Sequence, residues 1–166
     1  FAIRAMGWEQ FHDELPGDVP LSVLLDTFDL TNPNEVGEFI ATLKARGAAP
    51  RLIIIDTFRK ATPGADYNAS EAMNLAITQA YRLTHEFSCA VLLIDHVGKD
   101  KSKGVMGSIT KKGDVDGVLI CSKASSNLVT VTADKLRDAE DGWTKSFQVE
   151  TSEVEMPNGD KLETLV

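Results

Sequence analysis

The segment Arg51-Leu-Ile-Ile-Ile-Asp56-Thr57-Phe58 constrains this chain more than any other. Four apolar residues, three of them β-branched, follow one another without alternation and stop at an acid. An apolar run of that length suits a strand buried on both faces, as in a parallel sheet. The run Cys89-Ala-Val-Leu-Leu-Ile94 has the same character and closes on Asp95-His96. Between the two, Met73, Ala76, Ile77, Ala80, Leu83 and Phe87 recur at helical spacing. Strand, helix and strand in this order predict a right-handed βαβ unit with parallel strands. Asp56 and the Asp95-His96 pair then emerge at one edge of the sheet, the carboxyl edge at which open α/β folds place ligands.

A carboxylate followed by a hydroxyl at such an edge can hold a hydrated Mg²⁺ beside a nucleotide phosphate. It can equally cap the loop that follows. The segment alone leaves both open. A length of 166 residues suits one domain with one core, and the 43% hydrophobic and 25% charged content is that of a globular chain. A net charge of −8 argues against a protein that coats nucleic acid with its whole surface. Cys89 and Cys121 lie in apolar runs and read as buried free thiols, which points to a reducing, cytoplasmic setting. No apolar run reaches membrane-spanning length, and no secretory leader is visible. Opening at Phe1 rather than Met, the sequence reads as a fragment, a processed product or a trimmed chain.

Residues 1–15 have the pattern of an amphipathic helix, with Trp8 and Phe11 as core or interface anchors. Leu21–Leu25 reads as a short strand. Asn32-Pro33-Asn34-Glu35 is a helix start with an N-cap, a first-turn proline and a capping-box acid; Val36, Phe39, Ile40 and Leu43 follow, and Gly47 ends the helix. Asn68-Ala-Ser-Glu71 repeats the capping box. Val118–Cys121 and Leu128–Thr132 are strands joined by Ser125-Ser126-Asn127, the second antiparallel or at an edge. Residues 135–142 read as a polar turn, residues 143–154 as extended, and Pro157-Asn158-Gly159-Asp160 as the turn of a final hairpin that returns through Lys161–Val166. The sum is one α/β domain with a β-rich C-terminal end.

Residues 97–115 lack periodicity and carry Lys99, Lys101, Lys103, Lys111 and Lys112 against Asp100 and Asp114. This one basic segment in an acidic chain can meet a phosphate backbone, or it can be a solvated loop. His12, His85 and His96 show no metal-ligand spacing, and there is no Gly-x-Ser-x-Gly elbow. The phosphate-cradling pattern Gly-x-x-x-x-Gly-Lys-Ser/Thr is absent; Gly98-Lys99 is followed by Asp100.

Four features in order resemble the RecA-fold P-loop ATPases: Asp56-Thr57 after an apolar run, Asp95-His96-Val97-Gly98-Lys99 after the next, Gly107-Ser108 before Asp114-Val115-Asp116-Gly117, and Lys135-Leu136-Arg137-Asp138. Within that superfamily the chain is most similar to the RepA-like hexameric helicases of plasmids and phages, related to the DnaB type. The resemblance spans about residues 1–150. It implies a truncated RecA-like core: a mostly parallel sheet flanked by helices and a hairpin-rich C-terminus at 143–166, in a single partial domain. It implies ATP and Mg²⁺ as ligands, with Asp56 as the Walker B acid on Mg²⁺ and Thr57 beside it. His96 resembles the sensor of the γ-phosphate. Lys99, Lys101, Lys103, Lys111 and Lys112 resemble a channel loop for single-stranded DNA. Lys135 and Arg137 resemble the pair that reaches a neighbouring subunit's nucleotide, which implies self-association as a hexamer, with a dimer as the alternative for a fragment.

The sequence departs from the family where Asp95 replaces the first His of a His-His pair, where Met106 precedes Gly107-Ser108, and where Ala139 replaces a Gly. The family's Walker A loop would lie upstream. Two functions are therefore expected. One is the partial motor domain of an ATP-driven DNA helicase or recombinase, inactive without its phosphate loop. The other is a non-catalytic RecA-like module for oligomerisation or nucleic-acid binding.

Overall fold

Asn32 begins the first helix as the sequence leads one to expect. In this computed structural model, which describes residues 6, 8, 9, 11, 21–66, 70–96, 113–156 and 158–165, Asn32 is extended and its side chain accepts the Asn34 N–H at 3.1 Å. Pro33 opens helix α1 (Pro33–Ala45). Glu35 is oriented differently from a capping box: it takes the Asp29 N–H at 2.8 Å and the Asn32 amide at 2.9 Å, and so ties the preceding loop to the helix start. At the other end Gly47 adopts φ 66°, and the amides of Gly47 and Ala48 donate to Lys44 and Leu43. This 5→2 and 6→1 pair is a Schellman motif, which needs a left-handed residue where Gly47 stands.

The described residues fall into two units, 24–115 and 1–23 with 116–166. In the first, strands β1 (Leu52–Asp56) and β2 (Ala90–Ile94) pair in parallel from Leu52↔Ala90 to Asp56↔Ile94. Helix α2 (Ser70–Phe87) connects them. Its buried stripe is Met73, Ala76, Ile77, Ala80 and Leu83. This stripe joins Leu30, Val36, Ile40, Ile55, Phe58 and Ala61 in the core. Phe28 stacks on Phe39 beside it, with centroids 4.5 Å apart. Lys44 of α1 pairs with Glu86 of α2 at 2.5 Å and holds the Glu86 carboxyl below its ordinary range. That contribution is present at neutral pH and fades on acidification; on an exposed pair it is small.

Three expectations are corrected in this unit. The strands β1 and β2 are buried on one face only: Leu52, Ile54, Leu92 and Ile94 are 37–53% exposed, because α1 and α2 both pack on the face carrying Ile53, Ile55, Val91 and Leu93. Leu21–Leu25 forms no strand; it has no pairing partner among the described residues and its apolar side chains are open to solvent. Met6, Trp8, Glu9 and Phe11 are helical as expected, but Trp8 and Phe11 are nearly half exposed and so are not core residues. The second capping box falls on Asn68, outside the described residues.

In the second unit, β3 (Gly117–Lys123), β4 (Leu128–Leu136) and β5 (Thr144–Gln148) form an antiparallel sheet in the order β3-β4-β5. The Lys123–Leu128 turn closes through Ala124 and Ser125 amides donating to Leu128 O. β4 extends to Leu136, so Lys135 is a strand residue paired with Val118 rather than part of a turn. The hairpin register simply continues outward beyond the expected strand end. One face carries Leu119, Cys121 and Lys123 with Val129, Val131, Lys145 and Phe147; the registers Cys121↔Val131↔Lys145 and Lys123↔Val129↔Phe147 align them. Leu119, Cys121 and Phe147 are exposed there, so Cys121 is not the buried thiol expected. The final hairpin is present as β6 (Thr151–Glu155) and β7 (Lys161–Leu165), with Gly159 at φ 84°. Glu153 faces Glu163 directly, a repulsive pairing offset by Lys161 on Glu153.

Two measurements check this packing. Leu83 is fully buried; Leu83→Ala is expected to cost about 2–5 kcal/mol in urea unfolding, and a loss below about 1 kcal/mol would contradict the core assignment. Burial also pushes the Cys89 thiol up, while Cys121 is exposed. An aromatic disulfide reagent should therefore label one thiol quickly in the native chain and the second only on unfolding, with Cys121→Ser removing the fast phase.

Candidate functional site at the carboxyl edge of the parallel sheet

The parallel register decides what meets at the edge. Asp56 lies opposite Ile94, the last residues of β1 and β2, so Asp56, Thr57, Asp95 and His96 all leave the sheet at one end. The ladder continues one step further: Phe58 N–H donates to Ile94 O at 2.7 Å. Phe58 is buried and anchors the turn that follows. Within that turn Lys60 and Ala61 amides donate to Thr57 O, Thr62 Oγ1 donates to Phe58 O at 3.0 Å, and Leu30 N–H donates to Ala61 O at 2.7 Å. The Asp56–Thr57 peptide is cis.

Asp56 is exposed and Thr57 half-buried. Thr57 Oγ1 accepts the Lys60 N–H at 3.4 Å. His96 is exposed, and its backbone N–H donates to Asp95 Oδ1 at 2.9 Å. The Asp95 carboxylate thus turns back on its own strand end. No group of three or more His, Cys, Asp or Glu side chains able to hold a metal occurs among the described residues. Mg²⁺ does not need one: it keeps several waters and is held through one or two carboxylates plus substrate phosphates. Asp56 with the Thr57 hydroxyl fits that donor set. The triphosphate is less well served, because the sequence offers no glycine-rich cradle for it.

Lys135 and Arg137 belong to the other unit. Arg137 follows the end of β4, and its backbone N–H donates to Asp116 O at 2.8 Å. Its guanidinium also pairs with the Asp116 carboxylate, both side chains being about half exposed or more. Sequence reasoning treated Asp116 as a strand cap at most. Counting outward from the 125–127 turn brings Asp116 opposite Arg137, and that count was the available signal. Lys99, Lys101, Lys103, Lys111 and Lys112 lie outside the described residues. A groove of about 350 Å³ along α2, lined by Asn74, Ile77, Thr78, Tyr81 and Asp114, shares none of the expected site residues. No described helix is long and apolar enough to cross a membrane.

No curated protein matches the sequence. Among solved structures, the ATPase domain of a DnaB-like helicase superposes with TM-score 0.52 at 15% identity, over 72% of this chain and 48% of its own. A RadB recombinase superposes with TM-score 0.51 at 14% identity, over 70% of this chain and 56% of its own. The chain therefore spans about half the length of these structures. At such identities the likeness is one of fold, and it bears out the RecA-like core. The profile of the AAA domain family matches residues 2–102. On that match the chain belongs to the AAA domain family, and its fold is that of the RecA-like ATPases related to replicative helicases.

Proposed function

We propose that this chain is part of the motor domain of an ATP-driven helicase or recombinase, acting on single-stranded DNA in a ring of like subunits. The observation that carries the reading is the shared exit of Asp56 and His96 at the carboxyl edge of β1 and β2, fixed by the register Asp56↔Ile94. In this reading Asp56 holds Mg²⁺ through its water shell, with Thr57 beside it. His96 stands two residues past the neighbouring strand end, where it can report the state of a phosphate to the segment that follows. That segment carries Lys99, Lys101, Lys103, Lys111 and Lys112 and supplies the DNA contacts. Lys135 and Arg137 complete a neighbouring subunit's nucleotide site, which makes a hexamer the natural assembly and a dimer the simplest association of this chain alone. The phosphate cradle is carried by sequence upstream of Phe1, in the same partial domain, and the setting is cytoplasmic.

A non-catalytic RecA-like module is the second reading. The Arg137–Asp116 pair favours it, because a cation neutralised in its own subunit has less field to offer a neighbour.

Turnover separates the two. In the gene product that carries the phosphate cradle, Arg137→Ala is expected to lower ATP hydrolysis by roughly 10³–10⁵ while ATP binding stays nearly intact. Unchanged hydrolysis would remove Arg137 from the site and leave the non-catalytic reading.

A further inference from the structure

The β3-β4-β5 sheet presents a face that the nucleotide reading does not use. Trp143, Lys145 and Phe147 alternate along one edge, so all three side chains fall on one side; Lys145 Nζ stands 5.6 Å from the Trp143 ring centroid, which confirms it. Trp143 is 38% and Phe147 52% exposed. Lys123 joins the same face through the register Lys123↔Val129↔Phe147. Neither lysine makes an ion pair among the described residues. The strand segments 119–123, 128–133 and 143–148 contain no Asp or Glu at all, in a chain of net charge −8.

We propose that this face is a stacking platform for single-stranded nucleic acid. Two exposed aromatic rings on one strand, about 13 Å apart along it, offer π-faces to two bases. Lys145 between them and Lys123 across the sheet offer cations to the intervening backbone. Aromatic stacking with interleaved cations is the chemistry by which sheets hold unpaired strands with little sequence preference. A face destined for an apolar protein surface would gain nothing from two unpaired lysines, since burying them costs free energy. The charge pattern therefore favours a polyanion over a protein partner. This site is separate from the lysines at 99–112 and does not depend on ATP.

The test is a titration of the full chain with a homopyrimidine deoxyoligonucleotide at low salt. A Trp8→Phe background leaves Trp143 as the only tryptophan. Binding should quench Trp143 emission, and Phe147→Ala should weaken it by roughly five- to a hundredfold. Lys145→Ala should reduce the slope of log affinity against log salt by about 0.7. Circular dichroism melts guard against misfolding, and Lys145→Ala, at an exposed position, serves if Phe147→Ala unfolds. Binding that ignores both substitutions but falls on Lys101→Glu with Lys103→Glu would overturn the platform and leave the motor reading standing. Absent quenching, or Phe147-dependent self-association in sedimentation without oligonucleotide, would also overturn it, the latter by assigning the face to a second copy.

Discussion

Parallel pairing of β1 with β2 is the constraint on which the rest of the first unit depends. A strand pairing has a side-chain period of two, so a slip of one residue would exchange the two faces of the sheet. The register Leu52↔Ala90 keeps Ile53, Ile55, Val91 and Leu93 together under α1 and α2. The same register brings Asp56 and the Asp95-His96 pair to one edge. Core packing and site geometry are thus two consequences of one alignment. The Phe58 N–H bond to Ile94 O carries the ladder past the strand ends, and burial of Phe58 fixes where the turn after Asp56 goes.

Most of this unit was legible in the sequence because its signals are local. Asn32-Pro33 and Gly47 bound α1 through capping chemistry, and the Met73-to-Phe87 stripe needs only helical periodicity. The open face of β1 and β2 was not legible. An unbroken run such as Ile53-Ile54-Ile55 says that a strand tolerates cover on both sides; it cannot say on which side the chain's own helices lie. Leu21–Leu25 failed for a related reason, since an apolar stretch becomes a strand only when a partner edge is available.

The second unit shows the same division. The turn at Ser125-Ser126-Asn127 announced a hairpin, yet its length depends on cross-strand pairs such as Val118↔Lys135 that no local window contains. Asp116 escaped notice because its partner, Arg137, is brought to it only by that pairing. The ion pair is exposed and adds little stability, so its significance lies in where it holds the guanidinium. The alternation of Trp143, Lys145 and Phe147 was visible in the sequence as an extended segment, but its single exposed face required the register with β4. Lys135 and the 97–112 lysines entered through family resemblance, and nothing local to them separates a functional cation from a solvated one.

The central claim is that a hydrated divalent cation with its nucleotide sits against Asp56 and Thr57 at the carboxyl edge of the parallel pair. Mn²⁺ can replace Mg²⁺ and broadens nuclear resonances close to it, which detects weak occupancy even without a phosphate cradle. Backbone amide spectra of the full chain during titration with Mn²⁺ and ATP are therefore the most direct measurement. The account predicts that the amides of Asp56, Thr57, Asp95 and His96 broaden first, and that Asp56→Asn removes the effect. Broadening that begins on the acidic β6–β7 hairpin while residues 56–57 and 95–96 stay sharp would contradict it.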